Sequence, residues 1–390
     1  MKKTLVLTAA AIPTGIVVGA VDALFGRVLL YLGAVRDAHL AWFLPFLGVV
    51  GAFMAWSYRR YGAGCENGMS MVFEAGHAER EAIPLRLVPF VMCATWLTHL
   101  FGGSAGREGV AVQLGAAISH WVGRLFRFED APRLMLICGI SAGFAGLFRT
   151  PFAATAFAME VLTAGKLEHR ALLPAAAAAL CASVTSGLLG LEKFAFNVGA
   201  RPEWSMALFL KLAILGVIFG IVGAAFAFFL KRAKKIAQIR LKDPVLRALC
   251  MGIVLSAVLF VLYSGRYCGL GTNLINASLG SESIYAWDWL LKLALTILTL
   301  AAGFQGGEVT PLFAIGASLG AALSGVMELP TDFSAALGYA AVFGSASNTL
   351  LAPALIGAEV FGWTQAPYML VVCAIAYAVN GGRSIYSGQK

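Results

Sequence analysis

Apolar runs with almost no charge recur from one end of the chain to the other, and they restrict its fold more than any other feature. Residues 206–230 carry one charge, Lys211, and residues 4–35 carry only Asp22 and Arg27. Runs of this kind fit the ~20 apolar residues that a helix needs to cross a bilayer. The composition agrees. With 59% hydrophobic and 13% charged residues over 390 positions, and a mean hydropathy of +0.81, a soluble protein would have an apolar surface. The chain is therefore expected to be an all-α polytopic membrane protein, multi-pass in a plasma or inner membrane.

Lys2 and Lys3 before the first run imitate a signal peptide. The run passes any short h-region and has a counterpart later in the chain, so it reads as a retained first helix. Seven cysteines, at 65, 93, 138, 181, 250, 268 and 373, have apolar neighbours and no metal or CxxC spacing. They read as buried small hydrophobes. The net charge of +9 does not point to nucleic acid, because much of it lies between Lys231 and Asp243. Basic loops beside membrane helices mark the cytoplasmic side, which also places the amino terminus there. The five histidines, 39, 77, 99, 120 and 169, lack ligand spacing, and no metal or cofactor is expected.

The chain repeats itself. "GIVVGAVDALF" from Gly15 matches "GVIFGIVGAAF" from Gly216, and "GREGVAVQLGAA" from Gly106 matches "GGEVTPLFAIGA" from Gly306. "TPFAATAFAMEV" ending at Val161 matches "TLLAPALIGAEV" ending at Val360. These matches pair Glu108 with Glu308 and Glu160 with Glu359. We expect a first half over 1–190, a linker over 191–205 and a second half over 206–390. The first helix of half one has its lysines before it, whereas its counterpart has its basic run after it. The second half is therefore inverted.

Inverted-repeat transporters place their site near the bilayer midplane, where broken helices of both halves meet. Several apolar segments are short or carry Gly and Pro inside them, such as "GISAGFAGLF", "VTPLFAIGASLGAAL" and "YAAVFGSAS". Non-helical backbone at that depth survives only inside protein or along a cavity. "GGSAGREGV", residues 102–110, sets Arg107 and Glu108 among glycines in such a setting. Glycines admit a close approach of backbone N–H groups, and helix amino termini there form a ready anion site.

"GREGVAVQLG" resembles the glycine–arginine–glutamate–glycine–proline signature of the CLC chloride channel and transporter family. "CENGMS" (65–70) stands where that family has its first anion-binding loop, "GGEVTP" (306–311) matches its third motif, and "GGRSIYS" (381–387) its carboxy-terminal segment. Asn67, Met69 and Ser70 stand where the family usually has serine, isoleucine and proline, and Val110 replaces a proline. Val161 stands where proton-coupled chloride members carry a glutamate, and Glu308 occupies a normally apolar position. This set resembles the fluoride/proton antiporter branch, CLC-F. The resemblance implies a CLC-type inverted repeat and export of fluoride in exchange for protons. It also implies a homodimer in the lipid bilayer, for which the small-residue helix 174–190 offers a close-packing surface.

On this reading Glu108 is a gate. Its carboxylate occupies the anion site when charged and leaves it when protonated, which makes anion and proton movement mutually exclusive. Glu308 is its mirror-related relay for proton or anion, or else a carboxylate favoured by a helix amino terminus. Asn67, with two amide hydrogens, either donates to the ion or caps the next helix. Gly68, Met69, Ser70, Gly109, Val110, Val309 and Thr310 are expected to wall the ion path, and Tyr386 to face its inner end. Arg107 is expected to anchor its loop by hydrogen bonds, and Glu160 and Glu359 to be structural. A chloride/proton antiporter or a passive CLC-type anion channel remains the alternative. A lipid-headgroup enzyme using Arg107 with His99 or Glu108 is the rival of another class. The inverted repeat and the mirrored Glu108 and Glu308 fit transport better.

Overall fold

The computed structural model describes residues 2–62, 64–199, 202–280 and 283–390. Its first half contains α1 (Lys2–Ala38), α2 (Leu40–Phe43), α3 (Leu47–Ser57), α4 (Met69–Gly76) and α5 (Leu87–Leu100). It continues with α6 (Glu108–Gly123), α7 (Ala131–Phe148), α8 (Pro151–Glu160) and α9 (Leu172–Leu188). The second half contains α10 (Met206–Arg240), α11 (Pro244–Val261), α12 (Thr272–Leu279) and α13 (Asp288–Ala302). It ends with α14 (Val309–Met327), α15 (Thr331–Ser347), α16 (Leu351–Phe361) and α17 (Ala366–Val379). Apart from the short α2, each helix of the first half has its counterpart in the second. Contacts repeat as well: α6 on α7 and α14 on α15, α1 on α9 and α10 on α17.

Among the described residues, seven helices are long and apolar enough to cross a membrane, while α5, α16 and α17 are shorter apolar helices. Large side chains such as Ile16, Phe228, Val254 and Val261 are exposed, as the lipid-facing surface of an integral membrane protein must be. Helix starts near the basic face follow ordinary capping. The Asp243 carboxylate accepts from the N–H groups of Val245 at 2.7 Å and Leu246 at 3.0 Å, with Pro244 at the first helical position of α11.

The glycine-rich segments expected to break run instead as continuous helix within α7, α14 and α15. Their glycines bring helix axes together. A side chain at Gly139 would strike the backbone of Gly115, and one at Gly316 would strike that of Gly338. The breaks fall between helices, at 101–107, 303–308 and the turns after α7 and α15. The 174–190 stripe is likewise used inside the chain. Cβ atoms built on Gly15 and Gly19 of α1 would meet the Cα atoms of Ala178 and Ala182 at 3.0 and 2.8 Å. The outward side of α9 carries Leu173, Val184 and Leu188 instead. The cysteines divide: Cys65, Cys138, Cys268 and Cys373 are buried, but Cys93 and Cys250 are exposed on apolar helices that face outward.

Glu160 and Glu359 are structural, and reciprocally so. The Glu160 carboxylate, at the end of α8, accepts from the N–H groups of Leu350, Leu351 and Ala352 at the start of α16, at 3.1, 3.1 and 2.8 Å. Glu359, near the end of α16, accepts from Phe152 and Ala153 at the start of α8, at 3.4 and 2.7 Å. Each short helix thus supplies the anion that its partner's unsatisfied first turn requires.

Candidate functional site

The two glycine loops ahead of α6 and α14 meet back to back. The Gly106 N–H donates to the Gly307 carbonyl at 2.6 Å, and the Gly307 N–H returns a bond to Gly106 at 2.8 Å. No larger residue fits there. A Cβ on Gly106 would sit 2.6 Å from a Glu108 carboxylate oxygen, and one on Gly307 would lie 2.8 Å from the Gly109 nitrogen. Neither α6 nor α14 has a side-chain cap, so first-turn N–H groups from both halves point into one small region.

Glu108 is fully buried and reaches across that seam. Its Oε2 accepts from the Thr310 N–H of α14 at 2.9 Å and from the Arg107 N–H at 3.0 Å. Its Oε1 and the Thr310 hydroxyl are buried without hydrogen-bond partners. A carboxylate here occupies the end of the opposite half's helix, a place that suits any small anion.

A cavity of about 520 Å³ is lined by Asn67, Gly68, Met69, Ser70, Glu308 and Tyr386 among others. Gly109, Val110, Val309 and Thr310 are buried, and Glu308 Oε2 and Met69 lie 3.7 and 3.9 Å from the Cβ position of Gly109. Met69, Gly109 and Glu308 are thus close together, as are Glu108 and Thr310 through their hydrogen bond, with Val110 and Val309 buried next to them in the chain. Lys234 and Arg247 also line the cavity, so its mouth lies on the basic face.

The Asn67 side chain makes no hydrogen bond among the described residues. Gly68, at φ 47°, is the residue that starts α4, so the capping alternative for Asn67 does not hold. Glu308 precedes α14 without capping it. Its carboxylate, 12% exposed, lies 3.6 Å from the Lys234 ammonium. Tyr386 packs against Phe73 with ring centroids 5.4 Å apart. Both ring nitrogens of His99 lie within 3.0 Å of carbonyl oxygens, of Thr95 and Ala105, and those of His120 lie 3.3 and 3.2 Å from the Pro132 and Glu81 carbonyls; in a neutral ring one of each pair accepts the N–H. Among the described residues no cluster of three or more metal-ligating side chains occurs.

Arg107 departs from expectation. Its Nε and Nη1 are buried without partners, so its guanidinium does not tie down the loop. Lys292 on α13 does that work. Its buried ammonium donates to Ser104 Oγ at 2.9 Å and to the Tyr267 and Gly269 carbonyls at 3.1 and 2.7 Å. Gln113 is a further residue that sequence reading missed. It lines the cavity, lies beside Gly68 and leaves its Oε1 unsatisfied. A lone amide five residues after Glu108 in an otherwise apolar helix was the signal for it.

The architecture and the site define an integral membrane protein of CLC-type inverted repeats, whose broken helices meet at a buried carboxylate. Residues 50–381 match the family described as the voltage gated chloride channel, and the chain belongs to that CLC family. It is 34% identical over 379 residues to the chloride/fluoride channel protein of Pseudomonas syringae pv. tomato, covering 95% of this chain and 83% of that protein. Among solved structures it is similar to a CLC-type fluoride/proton antiporter, with 50% identity, a TM-score of 0.97, and 99% and 98% of the two chains covered. A slow cyanobacterial Cl−/H+ antiporter shares the fold at 20% identity and a TM-score of 0.83, over 98% and 96% of the chains.

Proposed function

We propose that the protein exports fluoride in exchange for protons, with Glu108 as the gate. One observation carries this reading. The Glu108 carboxylate sits at the amino-terminal end of α14, accepting from Thr310 and Arg107, where a small anion would otherwise sit. When charged it excludes the anion; when protonated it gives up the site, and the two ions take turns. The CLC-type fluoride/proton antiporter that is 50% identical supports fluoride as the anion. Fluoride holds water tightly, so it needs strong donors in return. The unengaged amide of Asn67 and the Thr310 hydroxyl are such donors, with Gly68, Met69, Ser70, Gly109, Val110 and Val309 as the walls. Glu308 and Tyr386 lie toward the basic mouth of the cavity, where Glu308 relays a proton or an anion.

The same reading makes the protein a transporter rather than an enzyme. It is a homodimer with one pathway per subunit, in a plasma or inner membrane, with its amino terminus in the cytoplasm. The halves are 1–190 and 206–390, joined by 191–205. A second reading, passive anion conduction, is kept because the 34% identical relative is named a channel.

Fluoride and chloride efflux from liposomes, with simultaneous pH recording, tests the proposal. The wild type is expected to take up protons against a fluoride gradient. Glu108→Gln, which keeps the shape but not the titratable group, is expected to abolish proton movement, with any surviving anion flux uncoupled. Coupled exchange by Glu108→Gln overturns the gate. Fluoride flux without proton flux in the wild type favours the channel.

A further inference from the structure

Gln113 interrupts an apolar stretch of α6, between Val112 and Leu114, and only 4% of it is exposed. Its Oε1 is buried without a hydrogen-bond partner, and no hydrogen bond from its Nε2 occurs among the described residues. Burial penalises an amide in this state, and its neighbours give it nothing in return. Packing does not require it either. The match from Gly106 onto Gly306 sets Gln113 over Phe313. The second half thus fills the equivalent place with an apolar ring, stacked on Tyr339 with centroids 3.9 Å apart.

Helix register shows where the amide points. Gln113 stands four residues after Gly109, so the two share one face of α6. The Cβ position of Gly109 on that face lies 3.7 Å from Glu308 Oε2 and 3.9 Å from Met69. One turn on, the Cβ position of Gly68 lies 3.2 Å from Gln113 Oε1 and 3.5 Å from its Nε2. Gly68, at φ 47°, precedes α4, whose first turn has no side-chain cap. The amide therefore rests against the bare start of α4, and Gln113, Gly68, Met69 and Glu308 line one cavity. Asn67 lines it too but is exposed, so its bonds compete with bulk water, from which Gln113 is shut away.

We propose that Gln113 is a specificity-determining residue for the transported anion, its amide N–H groups taking fluoride from the cavity beside Gly68; this assignment rests on the reading that fluoride crosses that cavity. A primary amide offers two donors and no charge, so it binds an anion without pinning it as a buried cation would. A hydrogen bond to an ion is stronger than one between neutral groups, and stronger again inside protein than in water. Fluoride gives up more water than chloride to enter, so it gains more from a donor that is already stripped of water. The donor that packing leaves idle is thus set where it favours the smaller ion.

The test is the initial rate of fluoride and of chloride efflux from liposomes, over a range of internal anion concentrations, for the wild type and Gln113→Met. Methionine keeps the length of the side chain and none of its donors. The fluoride KM is expected to rise about tenfold, the effect of one donor to an anion lost and partly replaced by water. The fluoride-over-chloride efflux ratio at equal low concentration is expected to fall with it. Size-exclusion profiles check assembly, and Gln113→Leu, also apolar and a good helix former, carries the same expectation should Gln113→Met not assemble. An unmoved fluoride KM, or fluxes of both ions that fall in the same proportion, would make Gln113 a packing residue and overturn the proposal. Failure of both variants to assemble would overturn it too, because the amide would then serve the fold. Fluoride flux without proton flux in the wild type would overturn the exchange reading alone, since the KM comparison reads anion binding in either mode. A wild type that moves no fluoride would remove both.

Discussion

Two pairs of mirror-related carboxylates separate what the repeat keeps from what it gives up. Glu160 and Glu359 do the same thing in both halves, each closing the first turn of the other's short helix. Glu108 and Glu308 begin from equivalent positions and end in different surroundings. Glu108 is sealed and bonded to the opposite helix, whereas Glu308 lines the cavity beside Lys234. Backbone symmetry holds the scaffold, while the side chains of matched positions are free to differ.

The sharpest way to break this comparison is to neutralise the exposed member of the unlike pair. Val161 has no titratable group and its carbonyl is taken by the Gln389 amide at 3.0 Å, so the inner proton route cannot begin there. Glu308→Gln is expected to stop exchange of both ions or to uncouple them, while Val161→Glu leaves the proton flux unchanged. Paired fluoride and pH traces from liposomes decide this. Normal exchange by Glu308→Gln would reduce Glu308 to a partner of Lys234.

A smaller effect is expected from Asn67→Ser. Losing one charge-assisted donor is worth ~1.5–3 kcal/mol, part of it returned by water. The fluoride-over-chloride efflux ratio should fall about tenfold, or ~1.4 kcal/mol. An unchanged ratio in a folded variant would leave selectivity to other donors, Thr310 first.

For transport, the alike pair should matter least. Glu160→Gln and Glu359→Gln each weaken charge-assisted bonds to helix N–H groups and are expected to cost about 1–3 kcal/mol of stability. The thermal unfolding midpoint in detergent should drop while the fluoride-to-proton ratio holds. A changed ratio would move these residues from scaffold to pathway.

The repeat, its inversion and the glycine-flanked carboxylate were legible in the sequence, because duplication and charge in apolar runs leave marks at fixed offsets. The function of each glycine was not. A glycine that breaks a helix and one that lets two helices touch look alike in an apolar run, and only the neighbouring backbone separates Gly316 from Gly303. Arg107 was expected to anchor its loop, whereas the loop is tied by Lys292, 188 residues away from Ser104 along the chain.

The crossed bonds between α8 and α16 make each half the fitting partner of the other. Each half ends a short helix in a carboxylate and opens the same helix with bare N–H groups, so each is complementary to an upside-down copy of itself. Because both halves are parts of one chain, Glu108 and Glu308 can differ in surroundings while this reciprocal contact stays the same.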